Sequence, residues 1–230
     1  MRAVVGIVVD TEAALSDTSP RSRIIVGATS LIVGPALMSI GDLFHPAESM
    51  DASAQVAIVA AAPLRWYSAH LLLLIGMLLI VPGVLTLTRL ASERRPVAGY
   101  IARLLMLPSL AAFSAVMVFE MVLGRFLSKG AEVRSAITLF EAFQSSEVFL
   151  VLVPGLLAFF VGTAFFVVSL ASRGDPFRWP ALTFAVGAAL ILIEIASAQV
   201  LFSKVGNVVI FFASTTFAWR LLRRGRPIAS

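Results

Sequence analysis

The chain has only two histidines in 230 residues and no cysteine. His45 and His70 are therefore its entire supply of imidazole. Asp42 precedes His45 by three residues, a spacing that puts both side chains on neighbouring positions of one helical face. Together with Glu120 or Glu147, Asp42, His45 and His70 could offer three or four ligands to a divalent metal, for which neutral imidazole and carboxylate are suitable donors. A second chemistry rests on carboxylates inside apolar runs. Glu194 falls near the middle of the run 181–202, and Glu120 lies in the outer half of another. An ionisable group at such a depth usually faces a partner or a water-filled cavity, so these two are candidates for proton-sensitive groups. Glu147, Arg125 and Gln199 complete the polar set. A third chemistry is a b-type haem held by His45 and His70, which would use every histidine present.

These residues are carried on long apolar stretches. With 59% hydrophobic and 13% charged residues, the composition is that of an integral membrane protein. Six runs, 24–44, 67–90, 98–127, 147–172, 181–202 and 205–222, approach or exceed the roughly 20 residues that a helix needs to cross a hydrocarbon core. Their continuity points to helices rather than the short alternating strands of a membrane barrel. The expected fold is an all-α, six-span membrane bundle. It comprises a tail over 1–22, a transmembrane domain over 23–223 and a basic tail over 224–230.

Arginine distribution orients this bundle. In a six-span frame Arg21, Arg23, Arg89, Arg94, Arg95, Arg173, Arg178, Arg220, Arg223, Arg224 and Arg226 share one side, which the positive-inside rule makes cytoplasmic. Both termini are then cytoplasmic and the membrane is the plasma membrane. The net charge of +5 follows from these flanks, so nucleic acid is not expected as a partner. The connections 45–66 and 128–146 fall on the outer side, and each can form a short surface helix. The first is expected to be interfacial or re-entrant rather than a seventh crossing, because its apolar segment is too short to span and runs into Pro63.

Within the first span, Gly27, Gly34 and Gly41 recur every seven residues and lie close to one face, where a neighbouring helix can approach closely. His45 continues that seam. Pro46 disfavours helical geometry at His45, so the helix should end there. Pro35, Pro82, Pro108 and Pro154 fall inside four spans and could free carbonyls to line a site.

The absence of cysteine excludes disulfides, thiolate metal sites, iron–sulfur clusters and cysteine nucleophiles. No phosphate loop, nucleotide fingerprint or serine-nucleophile motif is present. The stretch Trp66-Tyr67-Ser68-Ala69-His70, following His45-Pro46, resembles small multi-span bacterial membrane proteins with no assigned activity. That resemblance covers the first two helices and implies no substrate.

The polar residues gather in the outer half. The expectation is an outward-facing acid and histidine pocket, floored by Glu194, that binds or translocates an ion or small molecule. Its partners are the lipid bilayer and that ligand. The alternatives are a metal- or haem-dependent membrane enzyme or redox protein, or an accessory subunit without chemistry of its own. A homo-oligomer or a partner within a membrane complex is compatible with each.

Overall fold

The structure, a computed structural model, describes residues 19–172, 174–197 and 199–224. The expected tails over 1–22 and 224–230 lie almost wholly outside the described residues. Those residues form eight helices: α1 (Pro20–Phe44), α2 (Ala52–Ala61), α3 (Pro63–Arg94), α4 (Pro96–Ser128), α5 (Val133–Gln144), α6 (Glu147–Leu170), α7 (Arg178–Ser197) and α8 (Leu201–Arg224). Six of them, all but α2 and α5, are long and apolar enough to cross a membrane. The chain is a multi-pass membrane protein. The short α2 and α5 fall in the two connections expected to carry surface helices.

Side-chain exposure agrees with a lipid environment. Large apolar residues such as Val26, Leu78, Val151 and Val186 are more than half exposed along the spans, an arrangement water would penalise and lipid does not. Each span places α3 beside α1 and α4, α6 beside α4 and α7, and α8 beside α7 and α1, so the six helices close into a ring of neighbours. One end of the bundle gathers Arg94, Arg178, Arg220, Arg223 and Arg224 and is called the arginine end. The opposite end carries both histidines, α2 and α5.

Two apolar clusters sit at different heights. The larger one fills the bundle towards the arginine end, where Leu31, Val84, Phe166, Phe184 and Phe217 interlock. The smaller one joins Val56 and Val59 of α2 and Ala136 and Phe140 of α5 to Trp66 and Leu123, so that α2 and α5 form a cap on the histidine end. Beside this cap and the histidine ends of the spans, Asp42, His45, Gln55 and His70 are all buried.

The glycine seam is what positions that polar group. A β-carbon on Gly34 would lie 2.9 Å from the Gly76 carbonyl and from the Ile80 backbone nitrogen, and one on Gly41 would lie 2.9 Å from the Ala69 carbonyl. The helices α1 and α3 therefore touch backbone to backbone in antiparallel register. Moving from Gly34 to Gly41 along α1 moves the contact from Gly76 and Ile80 back to Ala69 and Leu73 on α3. One more turn brings His45 opposite the turn of α3 that holds Trp66 and His70. The four prolines lie inside continuous helices rather than at breaks.

Candidate metal centre

His45 is the residue at which α1 stops. Its backbone is extended, at φ −66° and ψ 132°, as the following proline demands. The turn rotates its ring back over α3, where the ring centroids of His45, His70 and Trp66 lie 4.5–4.6 Å from one another. Trp66 is fully buried and its indole nitrogen donates to the Glu120 carbonyl at 3.2 Å, which ties this aromatic cluster to α4. Gly124, one turn after Glu120, leaves room for the indole.

The imidazoles meet nitrogen to nitrogen. Nε2 of His45 and Nε2 of His70 are 3.2 Å apart, while Nδ1 of His45 lies 2.7 Å from the Pro46 carbonyl and Nδ1 of His70 lies 2.9 Å from the Trp66 carbonyl. Each of these three contacts needs one hydrogen, and two neutral imidazoles own two. With each Nδ1–H donated to its carbonyl, both Nε2 lone pairs point into the same space. A third proton would require an imidazolium. Burial, the largest influence on His45, pushes its pKa below the ordinary histidine value. A cation between the two nitrogens resolves the deficit without that cost.

Glu48 supplies the third group. Its Oε1 is 3.4 Å from His45 Nε2, and one atom from each of His45, Glu48 and His70 lies within 4.8 Å of the others. The Glu48 side chain remains 56% exposed. Nevertheless, the protein crowded around its carboxyl, with the charge of Asp42 adding, pushes its pKa up to about 7. The exposed face tempers that crowding. Such a carboxylate sits in a field that a cation would relieve. The loop carrying it is held by Gln55, whose side-chain oxygen accepts from Ser49 N at 2.8 Å, and by Gln144, which donates to the Met50 carbonyl at 3.1 Å.

Asp42 takes a different part from the one its spacing suggests. Its Oδ2 accepts from Asn207 Nδ2 of α8 at 3.1 Å, and Ser39 donates to the Asn207 carbonyl at 3.0 Å. Asp42 therefore locks α1 to α8 beside the centre rather than pointing at the histidine nitrogens. Lys204 Nζ donates to the His45 carbonyl at 3.3 Å and Arg65 Nε donates to the Phe44 carbonyl at 2.7 Å. Both cations brace the end of α1.

The remaining candidates divide into two groups. Glu120 and Glu194 lie within electrostatic reach of Glu48, and Glu194 also feels Asp42. One carboxylate oxygen of Glu120, Oε2, is buried without a hydrogen-bond partner among the described residues. Against the expectation of a mid-span position, Glu194 lies in the last turn of α7, because that helix ends at Ser197. It is a half-buried neighbour at the histidine end, not the floor of a deep cavity. Gln199 lies past the end of α7 in an exposed turn, Glu147 is exposed at the start of α6, and Arg125 is exposed on α4. Among the described residues none of these three hydrogen-bonds or ion-pairs with the histidines.

A haem does not fit here. A porphyrin needs its two axial nitrogens on opposite faces of a flat ring, whereas these stand 3.2 Å apart with Trp66 packed against both rings. A single small cation does fit. Asp42, Glu48, Glu120 and Glu194 lie within electrostatic reach of one another around it, and Lys204 and Arg65 lie near His45. Compared with known proteins, the chain matches no family model, no curated protein and no solved structure, so geometry alone carries the functional reading.

Proposed function

We propose that this multi-pass protein resides in the plasma membrane and binds one divalent transition metal, zinc by its ligand chemistry, through His45, His70 and Glu48 at the outward-facing end. One observation carries the reading. Zinc bonds of about 2.0–2.1 Å in tetrahedral geometry separate two ligand atoms by about 3.3 Å. The contacts here are 3.2 Å from His45 to His70 and 3.4 Å from His45 to Glu48. The Glu48 and His70 ligand atoms lie within 4.8 Å, so closing the set requires the exposed Glu48 side chain to swing inward on binding. Both Nδ1 atoms already donate to backbone carbonyls, the outer-shell bond that fixes a metal-ligating imidazole.

Three protein ligands leave a fourth position for water or a bound molecule, which is the pattern of a working rather than a purely structural zinc. The arginine distribution supports an external position for it. Capture or passage of the metal ion itself is the use that fits the surrounding acids, with Glu120 and Glu194 supplying negative potential around the centre. The same open position would serve a metal-dependent enzyme, a second reading that Glu120 Oε2 supports, being buried without a hydrogen-bond partner among the described residues.

Titration of the metal-free protein with cobalt tests the binding. A tetrahedral N2O-plus-water site gives visible d–d absorption that saturates at one equivalent, and zinc bleaches it. Glu48→Gln keeps the volume but loses the anionic ligand, so its affinity should fall by at least about tenfold, the range reported even for outer-shell partners. A weak pink spectrum of octahedral cobalt, unchanged by Glu48→Gln, would sink the assignment. A smaller effect is expected from charge alone: Glu194→Gln should weaken cobalt binding by about two- to fivefold, since its field reaches Glu48 through partly wetted surroundings. Glu147→Gln, with no link to the centre, should leave it unchanged in the same titration.

A further inference from the structure

The opposite end of the bundle holds a second feature, independent of the metal centre. A cavity of about 470 Å³ opens between the start of α7 and the last turns of α8, lined by Pro176, Phe177, Trp219, Arg220, Arg223 and Arg224. Half of that lining is arginine and none of it is acidic.

These guanidinium groups are held by means other than ion pairs. Arg223 lies 4.5 Å over the Trp219 ring and Arg224 lies 5.0 Å over the Phe177 ring, while Arg220 donates to the Pro176 carbonyl. None of the three meets a carboxylate within ion-pair distance among the described residues. The nearby Asp175 is already engaged by Arg94 at 3.4 Å. Just beside the cavity, Arg178 has a buried Nε without a hydrogen-bond partner. Stacking on aromatic faces fixes a guanidinium plane while leaving its N–H edge free for phosphate oxygens.

An apolar track leads away from the cavity. Phe212, Trp219 and Leu222 are spaced to lie along one face of α8, and they are 61%, 55% and 37% exposed. Trp179 adds a further exposed indole at the same level. A phosphate seat thus adjoins a hydrocarbon surface, the two chemistries that a phospholipid joins in one molecule. Basic pockets between helices on the cytoplasmic side are where anionic headgroups bind.

We infer that this cavity is a binding site for the headgroup of an anionic phospholipid, with an acyl chain lying along Phe212, Trp219 and Leu222. The phosphate sits among Arg220, Arg223 and Arg224. A free phosphate ion shares the headgroup chemistry but not the apolar track.

The test uses the full chain in mild detergent, exchanged against mixtures of phosphatidylglycerol or cardiolipin with phosphatidylcholine and examined by native mass spectrometry. Retention of the anionic lipids over phosphatidylcholine is expected, and the R220Q/R223Q/R224Q variant should weaken it on the order of a hundredfold, about fivefold for each charge lost. R89Q/R103Q removes two exposed arginines from the same end, outside the cavity, and should retain the preference. Because the triple variant could fold poorly, F212A serves as a second probe that keeps every charge and the Trp219 ring under Arg223, and it should weaken long-chain but not short-chain lipid. Equal retention of phosphatidylcholine, or equal losses in R89Q/R103Q, overturns the site. Displacement of the lipid by excess inorganic phosphate, with no acyl-chain dependence, would assign the cavity to a soluble anion and overturn the lipid.

Discussion

A His70→Ala variant is expected to lose metal-dependent stabilisation completely. In the wild type, zinc at about a thousand times its dissociation constant stabilises the folded protein by about 4 kcal/mol. For a chain of this size that corresponds to a rise in melting temperature on the order of 10 °C. His70 is fully buried and contributes one of the two converging nitrogens. Removing it also leaves a cavity, which lowers stability by about 2–5 kcal/mol whether or not metal is present. The informative quantity is therefore the difference between melting with zinc and melting with chelator, which should vanish in His70→Ala and in His45→Ala. A histidine pair joined only through a proton predicts otherwise. The wild type would then melt alike with zinc and with chelator, and the variant would be lowered equally in both.

Substitution of Gly34 should have the second largest effect, although it lies far along α1 from the histidines. A β-carbon there meets the Gly76 carbonyl and the Ile80 backbone nitrogen at 2.9 Å, and backbone atoms cannot step aside as a flexible side chain can. Gly34→Leu must therefore push α1 away from α3. Overpacking of this kind costs about 1–3 kcal/mol where only side chains yield, and the upper end applies where backbones must part. The same displacement separates His45 from His70, since their contact depends on the register that the glycine seam sets. The variant should melt at least several degrees lower and bind cobalt on the order of a hundredfold more weakly. Val33→Leu enlarges the neighbouring residue on the exposed face and should leave both properties unchanged. Should Gly34→Leu bind cobalt normally while melting early, the seam would stabilise the bundle without positioning the centre.

Much of this arrangement can be read from residue spacing. Glycines seven apart announce a close helix contact, and extending their line by one turn reaches His45. The same apolar lengths that require six spans also place His45 and His70 at one end of consecutive spans. Glu48 is not legible in this way. Helical spacing stops being a guide once Pro46 ends α1, and only the fold of the turn returns Glu48 to the histidines. Asp42 suggests a ligand by its distance from His45, yet its closest partner, Asn207, lies on the last helix and is invisible to local spacing. Glu194 illustrates the opposite difficulty. Val200, Leu201 and Phe202 prolong the apolar run, so α7 reads as continuous through 202, whereas the chain turns after Ser197 and α8 begins at Leu201. The break places Glu194 at the end of its helix and exposes Gln199. Trp66 lies just before the run 67–90, and nothing in local spacing shows that Gly124 lets it enter the bundle and become the wall against which both imidazoles rest.

The most direct test of the central claim is X-ray absorption at the zinc edge on protein purified without a histidine tag and loaded with one equivalent of zinc. The account predicts a four-coordinate shell of nitrogen and oxygen at about 2.0–2.1 Å, with the outer-shell scattering of two imidazoles. An all-oxygen shell without imidazole scattering, or zinc lost on desalting, would contradict it.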